Sequence, residues 1–171
     1  PHNCESLGFD PIGNVIYLGE KTIAPQCRVY ALPMDKADSG KVLIAKAIAT
    51  LKIRTTTGMD ISPDGSRCIV LTYGPAYEYA RKRGEKWKDA FCRKPREIKM
   101  TARAQGESIC YGPDGKTLYG TGHMWRQGRH SFRIRKDCFH GVIRLDYEKN
   151  TPAVVFAGSM KRHDSGAENG Q

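Results

Sequence analysis

Apolar residues occur in short runs that alternate with polar ones, and turn-forming residues separate the runs. That is the pattern of half-buried β-strands rather than of long helices. The pattern repeats. The segment Glu5-Ser6-Leu7-Gly8-Phe9-Asp10-Pro11-Ile12-Gly13 precedes the run Val15-Ile16-Tyr17-Leu18. Thr57-Gly58-Met59-Asp60-Ile61-Ser62-Pro63-Asp64-Gly65 precedes Cys68-Ile69-Val70-Leu71. Glu107-Ser108-Ile109-Cys110-Tyr111-Gly112-Pro113-Asp114-Gly115 precedes Thr117-Leu118-Tyr119. Pro11, Pro63 and Pro113 set a period of 52 and then 50 residues. Each copy predicts a hairpin: Pro presets φ at the first turn position and Gly supplies a positive φ at its end. Asp-Gly between two strand-like runs is a strong local hairpin signal.

The remainder of each period predicts two more strands. In the first period these are Arg28–Leu32 and Lys41–Ala45; an Ala-rich helical turn over Leu43–Leu51 is the alternative for the second of them. The second period supplies Ala76–Tyr79 and Arg96–Met100, and the third supplies Gly141–Leu145 and Ala153–Phe156. Arg83–Phe91, with Trp87, Ala90 and Phe91 among charges, predicts one or two helical turns. Four strands in each period of about fifty residues is the signature of a β-propeller blade. The expected fold is therefore all-β, three four-stranded blades forming part of a propeller. The expected division is blade 1 over 1–54, blade 2 over 55–104 with a basic insertion at 81–95, blade 3 over 105–158, and a loose tail over 159–171. Rings close with about four to eight blades. Three blades predict either half of a six- or seven-bladed parent, with the rest on a longer chain or another chain, or self-association that completes the ring. The chain opens Pro1-His2-Asn3-Cys4, with no starting methionine, and is read as a processed or truncated piece.

The Pro63-Asp64-Gly65 and Pro113-Asp114-Gly115 hairpins, with their approaches Thr57–Ser62 and Gln105–Ile109, resemble the bacterial propellers built from PD-G repeats, the TolB- and WD40-like group. The Ala76-Tyr77-Glu78-Tyr79 run after the second hairpin is similar to a set of secreted propeller proteins without assigned activity. The likeness spans residues 4 to 158. It implies the fold and an exported location; it does not select one activity, because propellers host many. The first repeat departs from the pattern, with Ile12 in place of Asp64 and Asp114.

Blade geometry gathers candidate chemistry on one rim. Starts of first strands supply Glu5, Thr57 and Glu107, and ends of second strands supply Glu20, Tyr73 and His123. Carboxylates with a histidine can hold a divalent cation such as Ca through oxygen ligands. They can also act as an acid and base, and the plainest role is bonding to the neighbouring blade's backbone. His2 with Asn3 and Glu5 can join that rim, and Asp60 is assigned a structural role. No nucleophile elbow, phosphate loop or zinc spacing is present.

The chain has 171 residues, 28 Lys and Arg against 18 Asp and Glu, and a net charge of +10. Residues 81–103 carry ten basic and three acidic side chains, which is +7 of that total. Arg81, Lys82, Arg83, Lys86, Lys88, Arg93 and Lys94 there, with Arg126 and Arg129 further on, are the expected contacts for an acidic protein partner or an acidic glycan. Nothing resembles a nucleic-acid-binding module, and no apolar run is long enough to span a bilayer. Six cysteines suit an exported protein; Cys27, Cys92 and Cys138, each expected in a loop before a strand, are the disulfide candidates. The leading functional expectation is a non-catalytic binding or assembly module. The competing one is a metal-assisted hydrolase resembling the phytase-like and esterase-like propellers, with its cation on the rim carboxylates.

Overall fold

The computed structural model describes residues 2–35, 37, 40, 42–100, 105–123, 143–146 and 151–154. These form three four-stranded antiparallel sheets. The first holds β1 (Cys4–Asp10), β2 (Val15–Glu20), β3 (Cys27–Pro33) and β4 (Lys46–Leu51) in that order. The second holds β5 (Thr56–Ile61), β6 (Arg67–Thr72), β7 (Ala76–Ala80) and β8 (Arg96–Ile98), with the one-turn helix α1 (Trp87–Ala90) between its last two strands. The third holds β9 (Gln105–Tyr111), β10 (Leu118–His123), β11 (Ile143–Asp146) and β12 (Thr151–Val154). Strand β5 packs against β1 on one side and β9 on the other, so the first strands of the three sheets lie innermost. This is a partial propeller. Among the described residues no helix is long and apolar enough to cross a membrane.

The hairpin turns follow the sequence at two of three places. Gly65 and Gly115 adopt left-handed φ of +66° and +63°. Asp64 accepts hydrogen bonds from Ser62 Oγ at 2.6 Å and the Ser66 amide at 3.0 Å, and Asp114 accepts from the Thr117 amide at 2.8 Å. These local bonds hold each turn, as short polar side chains do. In the first hairpin Asn14 takes the left-handed position instead, at φ +51°. There Asp10 replaces the missing turn aspartate and accepts from the Ile12 amide at 3.0 Å.

The fourth strand of the first blade corrects the sequence expectation. The apolar run 42–45 is not a strand; Val42 and Ile44 are among the most exposed of the described large apolar side chains. The strand lies over 46–51, where a helical turn was the alternative. Pairing decides it: Leu51 opposite Cys27 and Ala49 opposite Val29 carry Ile48, Ala49 and Leu51 onto the core, whereas residues 42–45 pair with no strand among the described residues.

Two apolar seams hold the sheets together. The first, between blades 1 and 2, contains Tyr17, Val29, Leu51, Met59, Ile61, Val70 and Tyr79 and is closed by Trp87, Ala90 and Phe91 of the insertion. The second, between blades 2 and 3, contains Ile69, Leu71, Ala76, Ile98, Ile109, Tyr111 and Leu118. Burying such side chains contributes about 1.5–3 kcal/mol each. The inner strands approach closely at the second seam. A Cβ placed on Gly58 would lie 3.2 Å from both the Ser108 Cα and the Ile109 amide nitrogen.

Candidate functional site

The rim is organised by one irregularity repeated three times. In β1 the pairing with β2 skips from Cys4 to Ser6; in β5 it skips from Thr56 to Gly58; in β9 it skips from Gly106 to Ser108. Glu5, Thr57 and Glu107 are therefore each the extra residue of a β-bulge, at the same place in the repeat. Bulges re-aim a side chain out of the regular pleat. The three positions chosen as first-strand starts thus share a backbone cause that the sequence pattern does not display.

The side chains then diverge. Glu5 Oε2 accepts a 2.7 Å ion-paired hydrogen bond from Lys21 Nζ, and the same ammonium lies 4.7 Å from the ring centre of Tyr73. Glu5, Lys21 and Tyr73 form a chain across the first seam. Its charge pairing holds the Glu5 carboxyl below its ordinary range, with the Lys21 hydrogen bond as the main cause, and pushes Lys21 up. Glu20 has different partners. It accepts from His2 Nδ1 at 2.9 Å and from Arg28 Nε at 2.8 Å, and these two hydrogen bonds lower its carboxyl in that order. Tyr30 reaches the same imidazole nitrogen at 3.2 Å. Thr57 is buried, and its Oγ1 has no hydrogen-bond partner among the described residues. Glu107 is half-buried on the bulge of β9, and His123 ends β10 opposite Gln105. Glu5 and Tyr73 are thus joined through Lys21, a residue the sequence reading passed over; Glu20 belongs to a separate cluster. Among the described residues no three His, Cys, Asp or Glu side chains are placed to hold a metal ion.

Polar bonds between blades lie beside the predicted positions. Thr56, not Thr57, donates from Oγ1 to the Glu20 carbonyl at 3.1 Å. Asp60 Oδ2 accepts from the Tyr111 amide at 2.7 Å, bridging blades 2 and 3. Burial raises the Asp60 carboxyl despite that bond. Tyr111 Oη donates to Glu78 at 2.8 Å in the same seam.

The basic insertion is a clasp. Its anchor is Asp10, fully buried in the first hairpin. Asp10 Oδ2 accepts from Arg81 Nη1 at 2.8 Å and from Trp87 Nε1 at 3.0 Å. The Arg81 guanidinium also lies 4.6 Å from the Trp87 ring centre and donates to the Gly65 carbonyl at 2.8 Å. Trp87 stacks on Phe91 at 5.2 Å, and Phe91 meets Tyr79 edge-on at 5.3 Å. Arg81, expected to face an acidic partner, is directed inward because Asp10 lies buried beneath it. Arg93 is held at home by Glu85 and the Ala80 carbonyl. Lys82, Arg83, Lys86, Lys88 and Lys94 are exposed on the outer side. Arg126, Arg129 and Cys138 lie outside the described residues.

Cys27 is not in a loop; it begins β3, wholly buried, with a thiol that burial pushes up to about 11. Cys27 and Cys92 are both free thiols, one in the core and one exposed. Cys68 is buried, whereas Cys110 is exposed.

No protein family matches the chain, and no curated protein matches it either. Solved structures do. A chain of a nidogen/laminin complex aligns with a TM-score of 0.59 at 12% identity, covering 90% of this chain and 48% of that one. Hydrazine synthase from Kuenenia stuttgartiensis aligns at 0.55 with 18% identity, covering 90% and 37%. TolB from Acinetobacter baumannii aligns at 0.55 with 12% identity, covering 93% and 33%. At these identities the likeness is one of fold. The chain spans between a third and a half of the length of these structures, and the shared architecture is that of a β-propeller.

Proposed function

We propose that the chain is a non-catalytic β-propeller binding module of an exported protein, and that it docks an acidic protein surface through the outer side of the clasp. One observation carries this reading. The insertion is pinned by Trp87, Ala90 and Phe91 in the seam, so Lys82, Arg83, Lys86, Lys88 and Lys94 are presented on a fixed support. A preorganised cluster of like charge attracts an opposite surface with little ordering cost. One of the structures of similar fold is a chain of a nidogen/laminin complex, an assembly of proteins, and it supports a protein-binding role. Export rests on the resemblance to secreted propellers. The metal-assisted hydrolase reading is weaker, because Glu5 and Glu20 are already neutralised by Lys21, His2 and Arg28.

The test is retention on immobilised poly-aspartate and on heparin at matched charge, as a function of salt. Retention on poly-aspartate that falls steeply with ionic strength is expected. The triple change Lys82→Glu, Lys86→Glu and Lys88→Glu should abolish it without altering the circular dichroism spectrum. Salt-insensitive retention, or retention unchanged in that variant, overturns the proposal; preference for heparin makes the partner a glycan instead.

A further inference from the structure

The basic insertion has one point that stands clear of the body. Lys82, Arg83 and Gly84 are all exposed. Gly84 takes a left-handed φ of +76°, and a Cβ built on it would meet nothing within 4 Å. The turn is closed by the Glu85 amide, which donates to the Lys82 carbonyl at 3.0 Å, and by the Lys82 amide, which donates to Glu85 Oε2 at 2.8 Å. Each such bond contributes about 0.5–1.5 kcal/mol, so opening both to extend the backbone costs little. Exposed loop tips of this kind are the preferred places for a chain to be cut.

The residue types at the tip select one bond. Among the described residues, two basic side chains follow one another at Arg81-Lys82, Lys82-Arg83 and Arg93-Lys94. Arg81 is engaged by Asp10 and the Gly65 carbonyl. Arg93 is held by Glu85 and the Ala80 carbonyl, and its pair precedes Pro95, which has a fixed φ and no amide N–H. Lys82-Arg83 precedes Gly84, which sets no side chain against an approaching cleft. We propose that the Arg83–Gly84 bond is a processing site for an endoprotease whose acidic pockets take Arg83 and Lys82. Guanidinium–carboxylate pairing is strong and directional, which suits Arg83 to the residue before the cut. Water adds across the peptide bond, leaving a carboxylate on Arg83 and an ammonium on Gly84.

The cut chain stays one body. Strand β7 lies before the bond and pairs with β8 after it. Both apolar seams draw side chains from each side of the bond, and Asp10 accepts from Trp87 across it. The inference does not rest on the docking proposed above, because it is read by fragment sequence and mass rather than by retention.

The test treats the full chain under native conditions with a purified subtilisin-like endoprotease selective for Lys-Arg pairs. N-terminal sequencing should find a piece that begins Gly84-Glu85-Lys86. The other Lys-Arg pair, Lys161-Arg162, lies outside the described residues, and a cut there is told apart by its own sequence. The piece beginning at Gly84 and the piece ending at Arg83 should separate on a denaturing gel, co-elute on native size exclusion and keep the circular dichroism spectrum of the uncut protein. Arg83→Gln should abolish this cut. Absence of a piece beginning at Gly84, a cut between residues 82 and 84 that persists in Arg83→Gln, or pieces that part on native size exclusion would each overturn the proposal.

Discussion

Replacing Asp10 by alanine is the sharpest perturbation of the clasp. The change removes the acceptor shared by Arg81, Trp87 and the Ile12 amide. It leaves a guanidinium that is only 14% exposed without its carboxylate. Removing one member of a buried ion pair typically costs about 3–5 kcal/mol, because the other charge stays buried and uncompensated. Arg81 keeps the Gly65 carbonyl and the Trp87 ring, which sets the expectation at the low end, about 3 kcal/mol. That is roughly a hundredfold in the folding constant. With a urea slope of about 2 kcal/mol/M, the midpoint should fall by about 1.5 M. Urea unfolding followed by Trp87 fluorescence in a Trp125→Phe background reads it. Arg81→Met should cost a similar amount, since it strands the buried carboxylate. The double variant should recover much of the loss, because an apolar pair in place of a buried ion pair is often neutral. Trp87→Phe removes one donor and also leaves part of a fully buried indole site unfilled, so it should cost more than the ~1 kcal/mol of the lost bond alone. An Asp10→Ala cost below about 1 kcal/mol, or additive single changes in the cycle, would refute the view that this pair fastens the insertion to blade 1.

Three further outcomes are expected. Gly58→Ala should destabilise by about 1–3 kcal/mol, because its Cβ meets backbone on β9, whereas Gly8→Ala should cost less because the flexible Met59 side chain can yield; thermal melts of the two variants compare them. Asp64 is held at about 2 in the folded hairpin, first by the Ser62 hydroxyl and then by the Ser66 amide, against an ordinary 3.8. A depressed carboxyl contributes stability that is complete above its unfolded value and is lost as pH falls towards its folded one. Asp64→Asn should therefore flatten the dependence of stability on pH between about 4 and 2, as read by urea midpoints. Native-state labelling with a thiol reagent should modify Cys4 and Cys92 promptly and leave Cys27 and Cys68 unreacted until the chain unfolds.

The hairpins were legible because their information is local. Pro63-Asp64-Gly65 and Pro113-Asp114-Gly115 carry turn geometry in the residue types themselves, and alternation fixes which face of each following strand is buried. The outer strands were less legible. Residues 42–45 have the stronger apolar run, yet 46–51 forms the strand, because the choice is made by β3 and by the room Ile48 and Leu51 find in the seam. Strand propensity of this kind reports fit to a neighbour more than an intrinsic preference. Cys27 was misplaced for the same reason: it begins a strand whose buried face is set by Leu51 and Thr56, which lie far along the chain.

The rim and the clasp show where charge in a sequence misleads. Glu5, Thr57 and Glu107 were picked by register alone, and the bulge that singles them out arises only when two strands pair. Once formed, it leaves Glu5 beside Lys21, and the negative rim that the carboxylates suggested is locally neutral. The insertion runs the opposite way. Its formal charge of +7 over 81–103 suggested outward-facing contacts throughout, but its first arginine is consumed by a carboxylate seventy-one positions earlier. The clue was the departure of the first repeat. A turn aspartate absent at position 12 and present at position 10 is one that has been moved from holding its own hairpin towards holding another element as well. Asp10 does both through its two oxygens: Oδ1 takes the Ile12 amide, and Oδ2 takes Arg81 and Trp87. Where a repeat breaks its own turn chemistry and the substituted side chain is buried and charged, the compensating cation should be sought in the adjacent blade's insertions rather than on the surface.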